Sequence, residues 1–327
     1  MGRAERRLAA GLVVAATVGL AASQSRAAAG IVDRIRAEGV VHCGAVERPG
    51  IAEELPNENI GGIALDVCRA LAVAVLGPEG KVSFSLYDAP KTFDAVRSGE
   101  DEIAFLTGGE IASADLGAAV VPGPTVAVTE VGVMVHDPAP IHGIAELGGR
   151  RVCVMTGSRA QPAFESAMAR LHLSPLRLAF EEDVELLDAY NSGACEAAVG
   201  EVTYLADMRR NTGINKEPSR LLPEALASDP IIAVTPQADG PWAASVRWVF
   251  DAMLLADAPA DAWRASGADA LPARTPPGLR PNWRDDVIAT VGSYGAVVHR
   301  DFTVNLGLPP GPNALWPAGA LLPPALR

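Results

Sequence analysis

The chain contains few aromatic residues and little positive charge. Aromatic side chains make up 5% of its 327 residues, and lysine occurs only at positions 81, 91 and 216. The formal net charge is −12 at pH 7. Nucleic-acid binding requires a basic face for the phosphates, and single strands are usually held by aromatic rings that stack on the bases. The composition therefore excludes nucleic acid as the expected partner.

Common catalytic and metal-binding motifs are also missing. The sequence has no H-E-x-x-H, G-x-S-x-G, Walker A or G-x-G-x-x-G motif, and its cysteines form no C-x-x-C pair. His136, Asp137 and His142 could together form a metal site, but a solvated loop between the lobes is the simpler interpretation of these residues. We predict no metal, no cofactor and no enzymatic activity.

The apolar, uncharged run at residues 8–22 follows a basic start and is too short to cross a bilayer. Small residues continue up to Ala29 and offer A-x-A-like cleavage between residues 23 and 29. These features are typical of a secretory signal peptide, the alternative being a buried N-terminal helix. We expect residues 1–29 to be removed and the mature protein to be a soluble periplasmic monomer.

The mature sequence contains two similar series of alternating strands and helices. Strands are predicted at 40–43, 82–86 and 103–106 and again at 152–155, 176–180 and 197–199, with helices between them. The motif D-A-x-x-S-G begins at Asp94 in the first series and at Asp188, the equivalent place, in the second. This alternation predicts two α/β lobes with parallel sheets, in which ligands bind at the carboxyl ends of the strands.

The strand ends supply the candidate ligand contacts, which are Gly44-Ala45, Thr107 to Glu110, Thr156 to Ser158 and Gly200-Glu201. In Thr156-Gly157-Ser158-Arg159 a strand meets a helix N-terminus, where free N–H groups and the helix dipole attract an anion. A plain N-cap by Thr156 or Ser158 is the alternative for this turn.

The rest of the chain is predicted to contain a helix through Met208, a strand at 231–235, a long helix in which Trp242 and Trp248 pack, and a further helix at 287–291. Residues 258–281 are predicted to be a loop, and the tail at 301–327, rich in Pro and Gly, is expected to wrap the surface.

Several segments, in their order along the chain, resemble the binding components of general L-amino-acid ABC transporters, within solute-binding protein family 3. They are Cys43-Gly44, Asp66 to Ala70, Phe93 to Glu100, Val152 to Gly157, Gly193 to Ala197, Val291 to Gly295, Gly307 to Pro309 and Asn313 to Trp316. The resemblance covers nearly the whole mature chain. It implies an α/β fold, that of a type II periplasmic binding protein, with two lobes and two crossover segments.

The resemblance also implies domain bounds and a function. Lobe 1 would comprise residues 30–133 and return at 231–327 with the tail, and lobe 2 would comprise 134–230. The protein would bind a small polar solute, an amino acid or a relative of one, and deliver it to an ABC permease. An accessory interaction protein that kept the fold and lost the ligand is the alternative, and a dehydratase-like enzyme is a further one.

The resemblance assigns a binding role to particular residues. Glu201 stands where the family binds the ligand's ammonium group, and Ser158 stands where it binds through a threonine. The turn made by Thr156, Gly157 and Ser158 would hold an anionic or polar group of the ligand. Thr107 and Glu110 would contribute from lobe 1.

The chain also departs from the family pattern. The family's carboxylate-binding arginine is missing from residues 106–115. Ordinary amino acids would then bind weakly unless Arg159 replaces it, and an arginine in the first turn of a helix usually points to water.

Four cysteines in an exported chain indicate disulfide bonds, and four allow three pairings. Within the two-lobe organisation we predict Cys43–Cys68 and Cys153–Cys195, because each pair joins neighbouring elements of one series. The hinge is predicted near Val131–His136 and Asp229–Ile232, where the two crossovers would allow the lobes to close on a ligand.

Overall fold

The structure is a computed structural model that describes residues 30–56, 59–114, 120–211, 218–237, 239–257 and 276–322. The predicted signal peptide and most of the predicted loop at 258–281 lie outside these residues. In the part of the chain that the structure describes, no helix combines the length and the apolar character needed to cross a membrane.

Parallel strands form the sheet of the first lobe. β1 (Val40–Val46) lies between β4 (Lys81–Tyr87) and β5 (Ile103–Thr107) and pairs with both. A short ribbon, β2 (Glu53–Glu54) with β3 (Ile60–Gly61), follows β1. The sheet of the second lobe repeats the arrangement, as the two similar series predicted. β7 (Arg151–Met155) lies between β8 (Leu176–Phe180) and β9 (Ala197–Glu201), and all are parallel.

Two long strands connect the lobes and merge both sheets into one. β6 (Val120–His136) and β11 (Ala227–Pro236) run antiparallel to each other. β11 pairs with β5 of the first lobe, whereas β6 pairs with β9 of the second and with β10 (Ser219–Leu221). These strands are the two predicted crossover segments. The positions of the hinge and of the lobe boundaries stay predictions, although both fall within these strands.

Helices cover both faces of each sheet. They are α1 (Ile31–Glu38), α2 (Ile63–Leu76), α3 (Ala89–Ser98), α4 (Gly108–Ser113), α5 (Ala160–Arg170), α6 (Asp183–Asn191), α7 (Val202–Asn211), α8 (Gly240–Leu255), α9 (Trp283–Thr290) and α10 (Tyr294–Val298). α3 shows how local sequence sets these bounds. The Asp88 side chain accepts a hydrogen bond from the N–H of Lys91, and Gly99 ends the helix with a φ of 79°, which glycine adopts without strain.

Each lobe buries apolar side chains on both sides of its sheet, as parallel sheets require. In the first lobe α2 and α8 cover one face and α3 covers the other. Trp242 of α8 is fully buried, and its indole N–H donates to the carbonyl of Glu102 at 2.7 Å. Trp248 is partly buried against the same core. The packing role predicted for both tryptophans is confirmed.

One disulfide bond lies in each lobe. Cys43 of β1 is bonded to Cys68 of α2, with Cα atoms 6.5 Å apart, and Cys153 of β7 is bonded to Cys195, with Cα atoms 5.7 Å apart. All four cysteines are fully buried. The predicted pairing is confirmed.

The tail is more deeply embedded than predicted. Residues 299–304 form a π-helical turn, and Phe302 and Leu306 are buried in the core of the first lobe. Further along, the amide of Asn313 pairs with β6, accepting from the N–H of Val128 at 2.7 Å and donating to its carbonyl at 3.0 Å. The expectation that residues 301–327 only wrap the surface is therefore wrong for this part, because apolar burial and a buried amide hold it.

Candidate functional site

Arg48 enters the space between the lobes from a tight loop at the carboxyl end of β1. The loop closes through paired backbone hydrogen bonds between Arg48 and Ala52, at 2.7 and 2.9 Å. Gly50 has a φ of 73°, and a side chain there would lie 2.8 Å from Leu306. The carbonyls of Gly50 and Ile51 accept N–H groups from the start of α2. The loop thus fixes the Arg48 guanidinium, whose side chain is 8% exposed.

Thr107 and Glu110, predicted to contribute from the first lobe, form a capping box at the start of α4. The Thr107 hydroxyl accepts from the Glu110 N–H at 3.1 Å, and Glu110 Oε2 accepts from the Thr107 N–H at 2.8 Å. The other carboxylate oxygen of Glu110 accepts a hydrogen bond from Arg48. Thr107 is fully buried. Thr107 therefore positions Glu110 through the capping box, and the contribution of both residues to ligand binding stays a prediction.

Glu201, at the end of β9, receives charged groups from both lobes. Its Oε1 accepts from Arg159 at 3.1 Å, and its Oε2 lies 3.4 Å from Nε of Arg48. The hydroxyl of Thr129 on β6 also donates to Oε2, at 3.3 Å. The position predicted for the ammonium-binding carboxylate is therefore the meeting point of two arginines.

Arg159 points into the space between the lobes, and the expectation that it points to water is wrong. Besides Glu201, it lies 3.3 Å from the carboxylate of Asp229 on β11. Asp229 in turn accepts from the N–H of Gly109, at 3.2 and 3.3 Å. A side chain at Gly108 or Gly109 would approach the Asp229 carboxylate to 2.9 Å, so the glycines make this contact possible. Two nearby carboxylates hold the guanidinium at the cleft, where the side chain stays 29% exposed.

These contacts form one connected set, which we name the cleft network. It consists of Glu110, Arg48, Glu201, Arg159 and Asp229. Three carboxylates and two guanidinium groups give it a formal charge of −1. Such an arrangement offers paired cations and anions to a solute that carries both charges.

The turn from Thr156 to Arg159 is not capped by the side chain of Thr156 or Ser158, and its anion-binding role stays a prediction. The Ser158 hydroxyl donates to the carbonyl of Met155 at 2.8 Å, and the N–H of Gly157 donates to Oε1 of Gln161 at 3.0 Å. Arg159, the residue before α5, provides no side-chain cap. The predicted N-cap by Thr156 or Ser158 is therefore wrong, and Gln161 takes one of the N–H groups that an anion would use.

A cavity of about 440 Å³, here named the lobe-two cavity, opens beside the cleft network. Its polar lining comes from Glu47, Arg48, Thr156, Gly157, Ser158, Arg159, Asp183, Glu201 and Tyr204, and its apolar lining includes Met155, Leu186, Val199, Leu205 and Met208. Burial, and next the hydrogen bond to Asp183, raise the pKa of the Tyr204 hydroxyl, which stays protonated. Arg159 also lines a second cavity, of about 650 Å³, together with Glu110.

The structure brings together Glu201, Arg159, Glu110 and the turn at 156–158, all of which the sequence named. Sequence reasoning missed Arg48 and Asp229. Arg48 follows a strand end that had been singled out, in an Arg-Pro-Gly sequence, and that position was its only signal. In the described residues, no group of three or more His, Cys, Asp or Glu side chains is arranged to hold a metal ion.

Comparison with known proteins gives relatives over the whole length of the chain. It is 26% identical to the general L-amino acid-binding periplasmic protein AapJ of Rhizobium johnstonii, over 92% of this chain and 94% of the relative. It is 27% identical to the glutamate/glutamine/aspartate/asparagine-binding protein BztA of Rhodobacter capsulatus, over 94% of this chain and 96% of the relative. No protein-family model matches the sequence.

A solved structure shares the fold at similar identity. It is an ABC transporter periplasmic binding protein from Brucella ovis with glutathione bound, with a TM-score of 0.71, 25% identity and coverage of 91% of this chain and all of that one. Two α/β lobes joined by two crossover strands, with a charged site between them, define a two-lobe binding protein. The proteins that this chain resembles along nearly its whole length are amino-acid-binding proteins and an ABC transporter periplasmic binding protein, in agreement with the resemblance in its sequence.

Proposed function

We propose that this protein binds an amino acid between its lobes through the cleft network and releases it to an ABC permease. The cleft network is the observation that carries this proposal, because it places two arginines and three carboxylates within a few ångströms of each other. Relatives along the full length bind amino acids by their descriptions. An amino acid carries one carboxylate and one ammonium group, which match the two kinds of charge in the network.

The α-carboxylate and ammonium groups of the amino acid, here called its head group, would bind by replacing ion pairs within the cleft network. Arg48 and Arg159 are paired with carboxylates in the structure, and the α-carboxylate of the solute would take one of these guanidinium groups. The ammonium group would then take the carboxylate that the arginine releases, and Glu201 is the best placed because it touches both arginines. Exchange with a zwitterion leaves the formal charge of the site unchanged, so no buried charge is left without a partner.

The relatives support a location and a partner for this protein. The relatives are periplasmic binding proteins of ABC transporters, and this chain begins with a sequence typical of a signal peptide. The protein would therefore work in the periplasm, with a membrane permease as its partner. The accessory interaction role is not favoured, because the relatives along the whole chain are binding proteins. Since the relatives are described as binding proteins, we propose binding without chemical change of the solute.

Titration calorimetry tests this function directly. The protein is unfolded, dialysed and refolded to remove any carried solute, then titrated with the standard L-amino acids and with glutathione. We expect saturable binding of at least one amino acid, with a dissociation constant in the micromolar range or below. The absence of heat with every amino acid, in protein that has regained its thermal transition, would contradict the proposal.

A further inference from the structure

The lobe-two cavity has one charged end and one apolar wall. The charged end is Arg48, Arg159 and Glu201, which are joined by contacts of 3.1 and 3.4 Å. The apolar wall is Met155, Leu186, Val199, Leu205 and Met208, all from the second lobe. Four of its five side chains are at most 5% exposed, and Met155 is half-buried. A solute whose head group binds at the charged end would have this wall beside its side chain.

From this geometry we infer that the solute is an amino acid with an uncharged, apolar side chain of about the size of leucine or methionine. The inference rests on the proposed function and adds the class of side chain. Apolar surface gains free energy when it leaves water, and the wall offers it no competing charge. Two methionines in the wall adapt their shape to different apolar partners, because thioether side chains are flexible and polarisable.

Charged side chains fit this cavity less well. An acidic side chain would add a negative charge beside a network whose formal charge is already −1, and it would lose its hydration against the apolar wall. A basic side chain would find Glu47 and Asp183 in the lining, but both are exposed to solvent, which screens their charge. We therefore expect the order apolar, then basic, then acidic.

A calorimetric panel separates this inference from the proposed function. The ligand-stripped protein is titrated with leucine, methionine, arginine, glutamate and glycine, where glycine reports the head group alone. We expect leucine or methionine to bind at least about tenfold more tightly than glycine, and glutamate to bind most weakly of the larger amino acids. Tighter binding of arginine or glutamate than of leucine and methionine would overturn the inference and leave the proposed function standing. The absence of binding by all five, with binding of another standard amino acid, would overturn the inference alone, whereas the absence of binding by every standard amino acid would overturn both.

Matched methionine variants test whether the side chain of the solute packs against the apolar wall. Met208→Ala shortens a wall residue, whereas Met168→Ala makes the same change at a side chain of the same lobe that is 4% exposed and packs in a different cluster. We expect M208A to weaken leucine binding at least fivefold while glycine binding is unchanged, and M168A to weaken neither. Met155→Ala serves as the second wall variant if M208A does not fold, because Met155 is only half-buried. Equal effects of wall and control variants on leucine would overturn the inference.

Discussion

Nε of Arg48, in the first lobe, lies 3.4 Å from Oε2 of Glu201, in the second, so a charged contact spans the cleft. The same guanidinium is hydrogen-bonded to Glu110 within its own lobe. A solute that competes for either group must break this contact between the lobes. Substitution of Arg48 therefore tests both the stability of the folded protein and its affinity for the amino acid.

We expect Arg48→Gln to lower the free energy of unfolding by about 1–3 kcal/mol, because two carboxylates of low exposure lose their shared cation. Amino-acid affinity should fall at least about tenfold, or about 1.4 kcal/mol. Chemical denaturation and calorimetry measure the two effects.

The control for Arg48 is Arg97→Gln. Arg97 and its partner Asp94 are both more than half exposed, so the change should cost less than about 0.5 kcal/mol and leave binding intact. Equal unfolding midpoints and affinities for the two variants would contradict the role given to Arg48.

Glu201→Gln tests the ammonium contact. A charge-assisted hydrogen bond is worth about 1.5–3 kcal/mol, roughly tenfold to a hundredfold in affinity. The variant should weaken binding of an amino acid by this amount and weaken binding of the corresponding carboxylic acid, which lacks the ammonium group, much less.

Glu196→Gln is the matched control in the same lobe, because Glu196 pairs with Arg150 at the far end of β9. If E201Q and E196Q bind the amino acid with equal affinity, Glu201 does not hold the ammonium group.

The fold was predictable to a large extent because its signals are local. Alternating apolar runs, the Asp88 cap and the Gly99 stop lie next to the elements they define. The cleft network was only half predictable. Glu201 stands at a strand end that the repeat marked, but Asp229 reaches Gly109 across 120 positions of sequence. No local pattern connects such residues, and only the antiparallel pairing of β11 with β5 brings them together.

The prediction of the Arg159 side-chain orientation was wrong for a related reason. Helix position alone favours a solvated guanidinium, since long cationic side chains usually place their charge in water. The carboxylates of Glu201 and Asp229 pair with Arg159 instead. Both lie far from Arg159 in the sequence, so the residues next to Arg159 do not reveal them as its partners. Charge pairing in the tertiary structure overrides the local preference.

The disulfide bonds should stabilise the two lobes to a similar extent. They close segments of 25 and 42 residues, for which the chain-entropy relation gives about 3.5 and about 4 kcal/mol. We expect the double variants C43S/C68S and C153S/C195S each to lose roughly this free energy of unfolding, measured by denaturant titration. Peptide mapping of the non-reduced wild type should give one linked peptide pair per lobe. A linkage between lobes would contradict the pairing.

The last prediction concerns two carboxylates buried between α2 and the tail. Asp66 and Asp301 are 4% and 2% exposed, and both contact Arg300. Burial first, and then the charge of Asp66, raise the pKa of Asp301 to about 7, and burial also raises the pKa of Asp66. An unfolded aspartate has a pKa of about 3.9, so between roughly pH 4 and pH 7 the folded protein binds the extra proton. Stability should therefore fall as the pH rises through this window.

We expect the melting temperature to be higher at pH 5.5 than at pH 8. Asp301→Asn should remove much of this difference, because residue 301 then stays uncharged at both pH values. At pH 8 the variant should gain at least about 1 kcal/mol, or about 2 °C, over the wild type. Asp101, whose pKa burial raises to about 6, contributes a change of the same sign in both proteins, so the difference between them reports Asp301 together with its coupled partner Asp66. Asp94→Asn, at an exposed site, is the control and should follow the wild type. If the melting temperatures of wild type and D301N change by the same amount between pH 5 and pH 8, Asp301 does not hold the proton.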